Sequence, residues 1–179
     1  MSIVETLECV VEGLDEAEVP YMVVGSLALS THGEPQTAND IDVVVPPDAA
    51  GLERFVTRLD RGRWRADLNA ARRALRDRRQ FNLIDQRTLW KVDVIVQKAG
   101  DYAEAAFARR VAVDLDGREV VLQSPEDAVL SKLRWARRSG SERQLRDVAG
   151  ILAISELDWD YLDRWAHELG VAEDLEALK

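Results

Sequence analysis

Val24-Gly25-Ser26 and, after a spacer of thirteen residues, Asp40-Ile41-Asp42-Val43-Val44-Val45 are the stretches on which the reading of this chain turns. A glycine and a serine end the apolar run Tyr21-Met22-Val23-Val24, and two carboxylates one residue apart head a second apolar run. On a strand, residues i and i+2 point to the same face, so Asp40 and Asp42 share one side of a sheet. Two carboxylates on one face repel unless a cation lies between them, and hard divalent cations take oxygen ligands. At a strand-to-helix junction a glycine admits close approach of a ligand, and the free N–H groups of the helix attract phosphate. Ser26 suits a helix N-cap and offers a hydroxyl to a phosphate oxygen. The pattern predicts a site for a magnesium-bound triphosphate, with Gly25 and Ser26 on the phosphate side and Asp40 and Asp42 on the metal.

Outward from this stretch the chain alternates helix and strand. Ile3, Val4, Leu7, Val10, Val11 and Leu14 recur at helical spacing, and Pro20 breaks that helix. The helix after Ser26 is expected to stop at Gly33, with Glu34 to Asn39 as a polar loop. Pro46-Pro47 ends the Asp40–Val45 strand, and helices are expected over Asp48–Leu59 and Asp67–Arg76. Phe81–Ile84 and Lys91–Val96 read as neighbouring strands, followed by a helix over Tyr102–Arg109. Val111–Leu115 and Glu119–Leu122 form a hairpin across Asp116-Gly117. Ser124-Pro125-Glu126-Asp127 is a helix start: a capping serine, proline in the first position, then acids in the first turn. From there to Lys179 the pattern is helical only, with breaks near Ser139-Gly140 and Gly170. The expected class is α+β: a mixed β-sheet core with flanking helices over 1–123 and a helical subdomain over 124–179.

At 179 residues, 46% hydrophobic and 32% charged, the composition is that of a globular protein with a sizeable core. No apolar run approaches the roughly 18–20 residues needed to cross a bilayer. The first residues show no basic segment leading into an apolar core, so the cytoplasm is the expected location. One cysteine, Cys9, excludes an internal disulfide and a multi-cysteine zinc site. The net charge of −9 argues against nucleic-acid binding by the whole surface, but it is unevenly spread. Between Arg54 and Arg79, ten arginines stand against Asp60, Asp67 and Asp77, so the segment carries +7 and the rest of the chain −16. Such asymmetry either steers an anionic substrate to one edge or is a solvated helix face.

Gly25-Ser26 with Asp40-Ile41-Asp42-Val43 resembles the signature of the nucleotidyltransferase superfamily related to DNA polymerase β. The resemblance implies a third carboxylate on an adjacent strand, and Asp93 in Lys91-Val92-Asp93-Val94-Ile95-Val96 is its match, with Asp85 and Asp101 as rivals at strand ends. It implies that Asp40, Asp42 and Asp93 hold Mg²⁺ or Mn²⁺ with an NTP as substrate, and that Asp93 takes the proton of the acceptor hydroxyl. His32-Gly33-Glu34-Pro35, Ser131-Lys132-Leu133-Arg134-Trp135 and Ser141–Val148 further resemble small bacterial proteins grouped with the AbiEii toxins of abortive-infection systems. That resemblance implies a helical lysine, Lys132, on the triphosphate, a downstream aspartate, Asp147, and a separately encoded antitoxin. Gln36 stands where proteins of that group often carry arginine, so weakened nucleotide binding or turnover is the matching expectation.

Three functions follow. The first is a Mg²⁺-dependent transferase moving NMP from an NTP to a hydroxyl of RNA (tRNA is the arginine-rich choice), a protein or a small molecule. The second is a nucleotide- or RNA-binding module with the same fold and no turnover; the three retained carboxylates speak against it. The third, an aminoglycoside-type transferase, calls for an acidic pocket that Glu168, Glu173, Asp174 and Glu176 would supply. Trp135, Trp159 and Trp165 are expected in the helical core. Trp64 is either a base-stacking platform or a hydrophobic anchor.

Overall fold

The computed structural model describes residues 3–32, 40–115, 117–154 and 156–179, with backbone alone at 31, 32 and 154. Helix α1 (Ile3–Glu16) buries Leu7, Val10, Val11 and Leu14, the stripe its 3.6-residue periodicity dictates. It ends ahead of Pro20, on Glu18 in the left-handed conformation (φ 55°). Val19 N donates to Leu14 O and Glu18 N to Asp15 O, a Schellman closure that satisfies the last carbonyls before proline is reached. Strand β1 (Met22–Val24) runs directly into α2 (Gly25–His32). The first turn of α2 starts at Gly25, so Ser26 lies inside that turn rather than capping it. Gly33, Gln36 and the 34–39 loop lie outside the described residues.

Strand β2 (Ile41–Val45) begins one residue after Asp40 and leads to α3 (Ala49–Arg58), capped by Asp48. A two-residue strand β3 (Trp64–Arg65), α4 (Leu68–Asp77), β4 (Gln80–Asp85) and β5 (Lys91–Val96) follow. Helix α5 (Asp101–Ala108) precedes the antiparallel pair β6 (Val111–Leu115) and β7 (Arg118–Leu122), whose turn residue Asp116 is outside the described residues. The strands form one mixed sheet in the order β3-β4-β5-β2-β1-β7-β6. β2 and β5 are parallel, with Asp42 opposite Asp93, while β1 and β4 run antiparallel to their neighbours β2 and β5.

Alternation along β2 and β5 separates two faces. Ile41, Val43, Val45, Val92, Val94 and Val96 point into a core shared with α1, α3 and α4. Asp42, Val44, Asp93 and Ile95 point the other way, where α5 and the helical part overhang the sheet. That part is α6 (Pro125–Ser139), α7 (Glu142–Ile154), α8 (Trp159–Glu168) and α9 (Ala172–Glu176). A second core joins α6, α7, α8 and α9 to Leu29 of α2. The start of α6 is as the sequence dictates: Asp127 N donates to Ser124 Oγ, and Ser124 Oγ donates back to Asp127 Oδ2 at 2.9 Å. Gly140 (φ 66°) closes it.

Trp64 is the hydrophobic anchor of the arginine-rich segment: it is buried and pairs with Asp85 across β3–β4. Several of the arginines are engaged in tying the scaffold together. Arg54 donates to Ala17 O, Arg58 to Glu16 O and Arg78 to Gln97 O, while Arg72 pairs with Glu53. Among the described residues, no helix is long and apolar enough to cross a membrane.

Candidate functional site

A cavity of about 670 Å³ lies between the second face of the sheet and helices α2, α5 and α6. Its floor carries Asp40, Asp42 and Asp93. One carboxylate oxygen from each lies within 4.8 Å of the others. The geometry follows from the parallel β2–β5 register, which seats Asp42 beside Asp93, and from the i, i+2 spacing that turns Asp40 to the same face. Asp93 is 5% exposed, and its Oδ1 has no hydrogen-bond partner. Burial, together with Asp40 and Asp93 close by, pushes the Asp42 carboxyl up to about 6, with Lys91 pulling the other way. An orphaned buried oxygen and mutually repelling carboxylates form a donor set fitted to a hard divalent cation.

Gly25 and Ser26 line the same cavity from the β1–α2 junction. Gly25 has φ 74°, and a Cβ placed on it would meet Asp42 Oδ2 at 2.5 Å. Only glycine leaves both the backbone turn and that carboxylate in place. Lys132, one face of α6 away, lines the cavity as well, and its Nζ lies 2.7 Å from Asp147 Oδ2 on α7. The structure thus brings all six candidate residues, Gly25, Ser26, Asp40, Asp42, Asp93 and Lys132, to one cavity.

The rivals fall elsewhere. Asp85 is fully buried behind the sheet, receiving Arg63 Nη2 at 2.6 Å and Nε at 3.0 Å, Thr6 Oγ1, and Arg87 N. Burial opposes its charge, but the Arg63 and backbone hydrogen bonds outweigh it and hold its pKa low. Asp101 opens α5 and belongs neither to the carboxylate group nor to the cavity lining. The acidic residues proposed for a cationic acceptor do not line the cavity: Glu168, Asp174 and Glu176 pair with Arg164, Arg137 and Lys179 on the outer helices.

Sequence reasoning missed two features. Trp135 was expected in the core with Trp159 and Trp165, yet only Trp165 is buried; Trp135 is 56% exposed at the cavity and Trp159 lies on the surface. The signal was the i, i+3 spacing from Lys132, which puts both on one face of α6. The second is Lys91, two residues before Asp93 and therefore on its face, whose ammonium enters the carboxylate cluster. Away from Lys132 the cavity is walled by Gln80, Gln97, Lys98 and Tyr102. Asp127, buried beneath it, is committed to Ser124 and to the Tyr161 hydroxyl, which donates to it at 2.9 Å.

A mixed sheet that carries carboxylates on neighbouring strands, opposite a glycine-serine turn into a helix, is a nucleotidyltransferase fold. The chain belongs to the family described as "Nucleotidyltransferase of unknown function (DUF6036)", whose model matches residues 1–177. Among solved structures it is similar to ANT(2")-Ia in complex with adenylyl-2"-tobramycin, at TM-score 0.62 and 16% identity over 93% of this chain and 95% of that one. It is similar too to an antigenic nucleotidyltransferase-like protein from Paracoccidioides brasiliensis, at TM-score 0.60 and 19% identity over 94% and 88% of the two chains. At such identities the likeness is one of fold. None of the curated proteins compared with the chain matches it.

Proposed function

We propose that this protein is a divalent-metal-dependent nucleotidyltransferase that moves a nucleoside monophosphate from an NTP to a hydroxyl acceptor. The observation that carries the reading is the meeting of the Asp40, Asp42 and Asp93 oxygens within 4.8 Å, on the floor of a cavity that Gly25, Ser26 and Lys132 also line. Asp40, Asp42 and Asp93 are the residues that would hold the cation, Mg²⁺ or Mn²⁺. When bound, it supplies charge neutralisation of the triphosphate and acidifies the attacking hydroxyl.

The chain's own groups divide the remaining work. Gly25 lets the triphosphate approach the first turn of α2, where the Ser26 hydroxyl and the positive end of the helix meet phosphate oxygen. Lys132 presents a compact positive charge to the same group. Trp135, on the Lys132 face of α6, offers a ring on which the nucleobase stacks. Asp93, whose strand places it at the edge of the same cluster, accepts the proton of the acceptor hydroxyl. The acceptor oxygen forms its bond to the α-phosphorus as the bond from that phosphorus to the bridging oxygen breaks, and pyrophosphate leaves.

The ANT(2")-Ia structure holds an adenylylated aminoglycoside, but a polycationic acceptor is disfavoured here. Among the described residues, the lining beyond the metal cluster offers Gln80, Gln97, Lys98 and Arg134, and its other carboxylate, Asp127, is engaged. Neutral amides and cations suit a neutral or anionic acceptor, of which an RNA or protein hydroxyl is an example. The AbiEii-like motifs support a toxin of this kind acting on such a macromolecule and paired with an antitoxin.

The test is transfer of label from each α-labelled NTP, with Mg²⁺ or Mn²⁺, into total RNA and cell extract, beside Asp40→Ala and Asp42→Ala. Label is expected in an RNA or protein band from the natural chain alone. Transfer that survives both substitutions would sink the assignment of the site.

A further inference from the structure

The carboxylate cluster already contains a cation of its own. The Lys91 ammonium lies 2.9 Å from Asp93 Oδ2 and 3.3 Å from Asp40 Oδ2. Its position is set by the sheet. Lys91 is the first residue of β5, opposite Ile84 of β4 and on the same face as Asp93 two residues further on. On the other side, Ile41 pairs with Val92, which brings the preceding Asp40 alongside Lys91. Two ladders therefore fix the lysine stem between the residues its head group joins.

The charge count is the next step. Three carboxylates against one ammonium leave two negative charges, which a single divalent ion neutralises. The ion pairs are one-sided: Lys91 covers the Asp40–Asp93 edge, and Asp93 Oδ1 remains without a partner. A divalent ion added on the covered edge would lie against the ammonium and meet like-charge repulsion. A single ion on the Asp42 side lies farther from the ammonium and meets less of it.

We propose that Lys91 stands in place of a second divalent cation, so that this chain binds one metal ion per site. It rests on the transferase reading above. The ammonium supplies at the Asp40–Asp93 edge the fixed positive charge that a second ion would supply, and it orients Asp93 by holding Oδ2, which leaves Oδ1 as the donor for the single ion. Unlike a metal ion, it is not lost to chelation.

Mn²⁺ binding, followed by the electron paramagnetic resonance of the free ion and with no nucleotide present, tests this directly. The natural chain is expected to take up one Mn²⁺ per chain, and Lys91→Met two, the pair giving the exchange-coupled spectrum of neighbouring ions. Lys91→Arg, which keeps the charge, is expected to take up one. Lys91→Gln replaces the methionine variant if circular dichroism shows that the latter does not fold. Two Mn²⁺ in the natural chain would overturn the proposal and leave the transferase reading standing, and so would one Mn²⁺ in the charge-neutral variant. Uptake by neither protein would overturn the proposal together with the metal site beneath it.

Discussion

Replacing Gly25 by alanine tests the site at its tightest contact, and the molecule supplies its own control. Gly25 and Gly140 both have left-handed backbones, with φ 74° and 66°. Around Gly140 nothing lies within 4 Å of a Cβ, whereas the same atom on Gly25 would meet Asp42 Oδ2 at 2.5 Å and Cγ at 3.4 Å. Alanine at either position bears the left-handed cost of about 1–2 kcal/mol. At Gly25 the Asp42 carboxylate must also leave its rotamer, which adds about 0.5–1.5 kcal/mol. Urea denaturation in EDTA should therefore rank the natural chain first, then Gly140→Ala, with Gly25→Ala lower by a further ~1 kcal/mol. Because Asp42 is displaced, Gly25→Ala should also weaken Mn²⁺ binding by at least about tenfold, the scale seen when a ligand loses its orientation, while Gly140→Ala leaves it unchanged. A double-substitution cycle isolates the contact: in an Asp42→Ala background, Gly25→Ala should cost no more than Gly140→Ala. If the two glycine variants match in stability and in Mn²⁺ affinity, the packing of Gly25 on Asp42 is refuted, and the reason given for glycine at this position goes with it.

Three further outcomes are expected. Asp42 titrates near 6 in the folded chain against 3.8 unfolded, so the stability it contributes is complete below pH 3.8 and is lost as pH rises through about 6. The gap corresponds to ~3 kcal/mol, which partial solvent exposure reduces to about 1–2 kcal/mol; metal-free Asp42→Asn should exceed the natural chain by that amount at pH 7.5 and match it near pH 4, and equal stabilities at pH 7.5 would refute the account of the repulsion. Trp135→Ala should raise the KM for NTP by roughly 5- to 150-fold, the loss of ~1–3 kcal/mol of base stacking, with the melting temperature nearly unchanged because the ring is exposed; an unaltered KM would remove Trp135 from the nucleotide site. Asp85→Ala removes the main partner of the half-buried Arg63, which keeps Glu5 and Cys9 beside it, and should cost about 2–3 kcal/mol in denaturant while Mn²⁺ affinity persists; loss of Mn²⁺ binding from folded protein would return Asp85 to the list of ligands.

The parts of the site written in local spacing were legible in the sequence. Asp40 and Asp42 share a face because of a two-residue period, whereas Asp93 is reached through the resemblance to nucleotidyltransferases, which implies a third carboxylate on an adjacent strand. The start of α6 was equally open to reading, since Ser124-Pro125-Glu126-Asp127 carries its own capping chemistry. What depended on partners brought from far along the chain was not. Trp135 and Trp165 are alike in sequence terms, yet Trp165 stacks near Tyr102 at 5.3 Å in the second core while Trp135 opens onto the cavity. The spacing of Trp135 from Lys132 puts the two on one face of α6, but only the packing of that helix over the sheet makes this face the cavity side. The arginine run is ambiguous for the same reason: as composition it reads as a surface for anions or a solvated helix face, and the structure adds that Arg54, Arg58 and Arg78 are spent on backbone carbonyls of elements distant in sequence.

Lys91 falls between these cases, and it shows why a motif of three carboxylates is an incomplete description of such a site. Its spacing to Asp93 is local, so its face could have been read; its distance to Asp40 depends on the parallel pairing of β2 with β5, which periodicity does not reveal. A sheet register that places Asp42 beside Asp93 must also place Asp40 beside whatever stands two residues before Asp93. In this chain that residue is a lysine, and the same backbone geometry that gathers the negative charge therefore delivers part of its neutralisation. If Lys91 stands in for a second ion as proposed, site charge rather than the count of carboxylates sets how many cations this chain accepts.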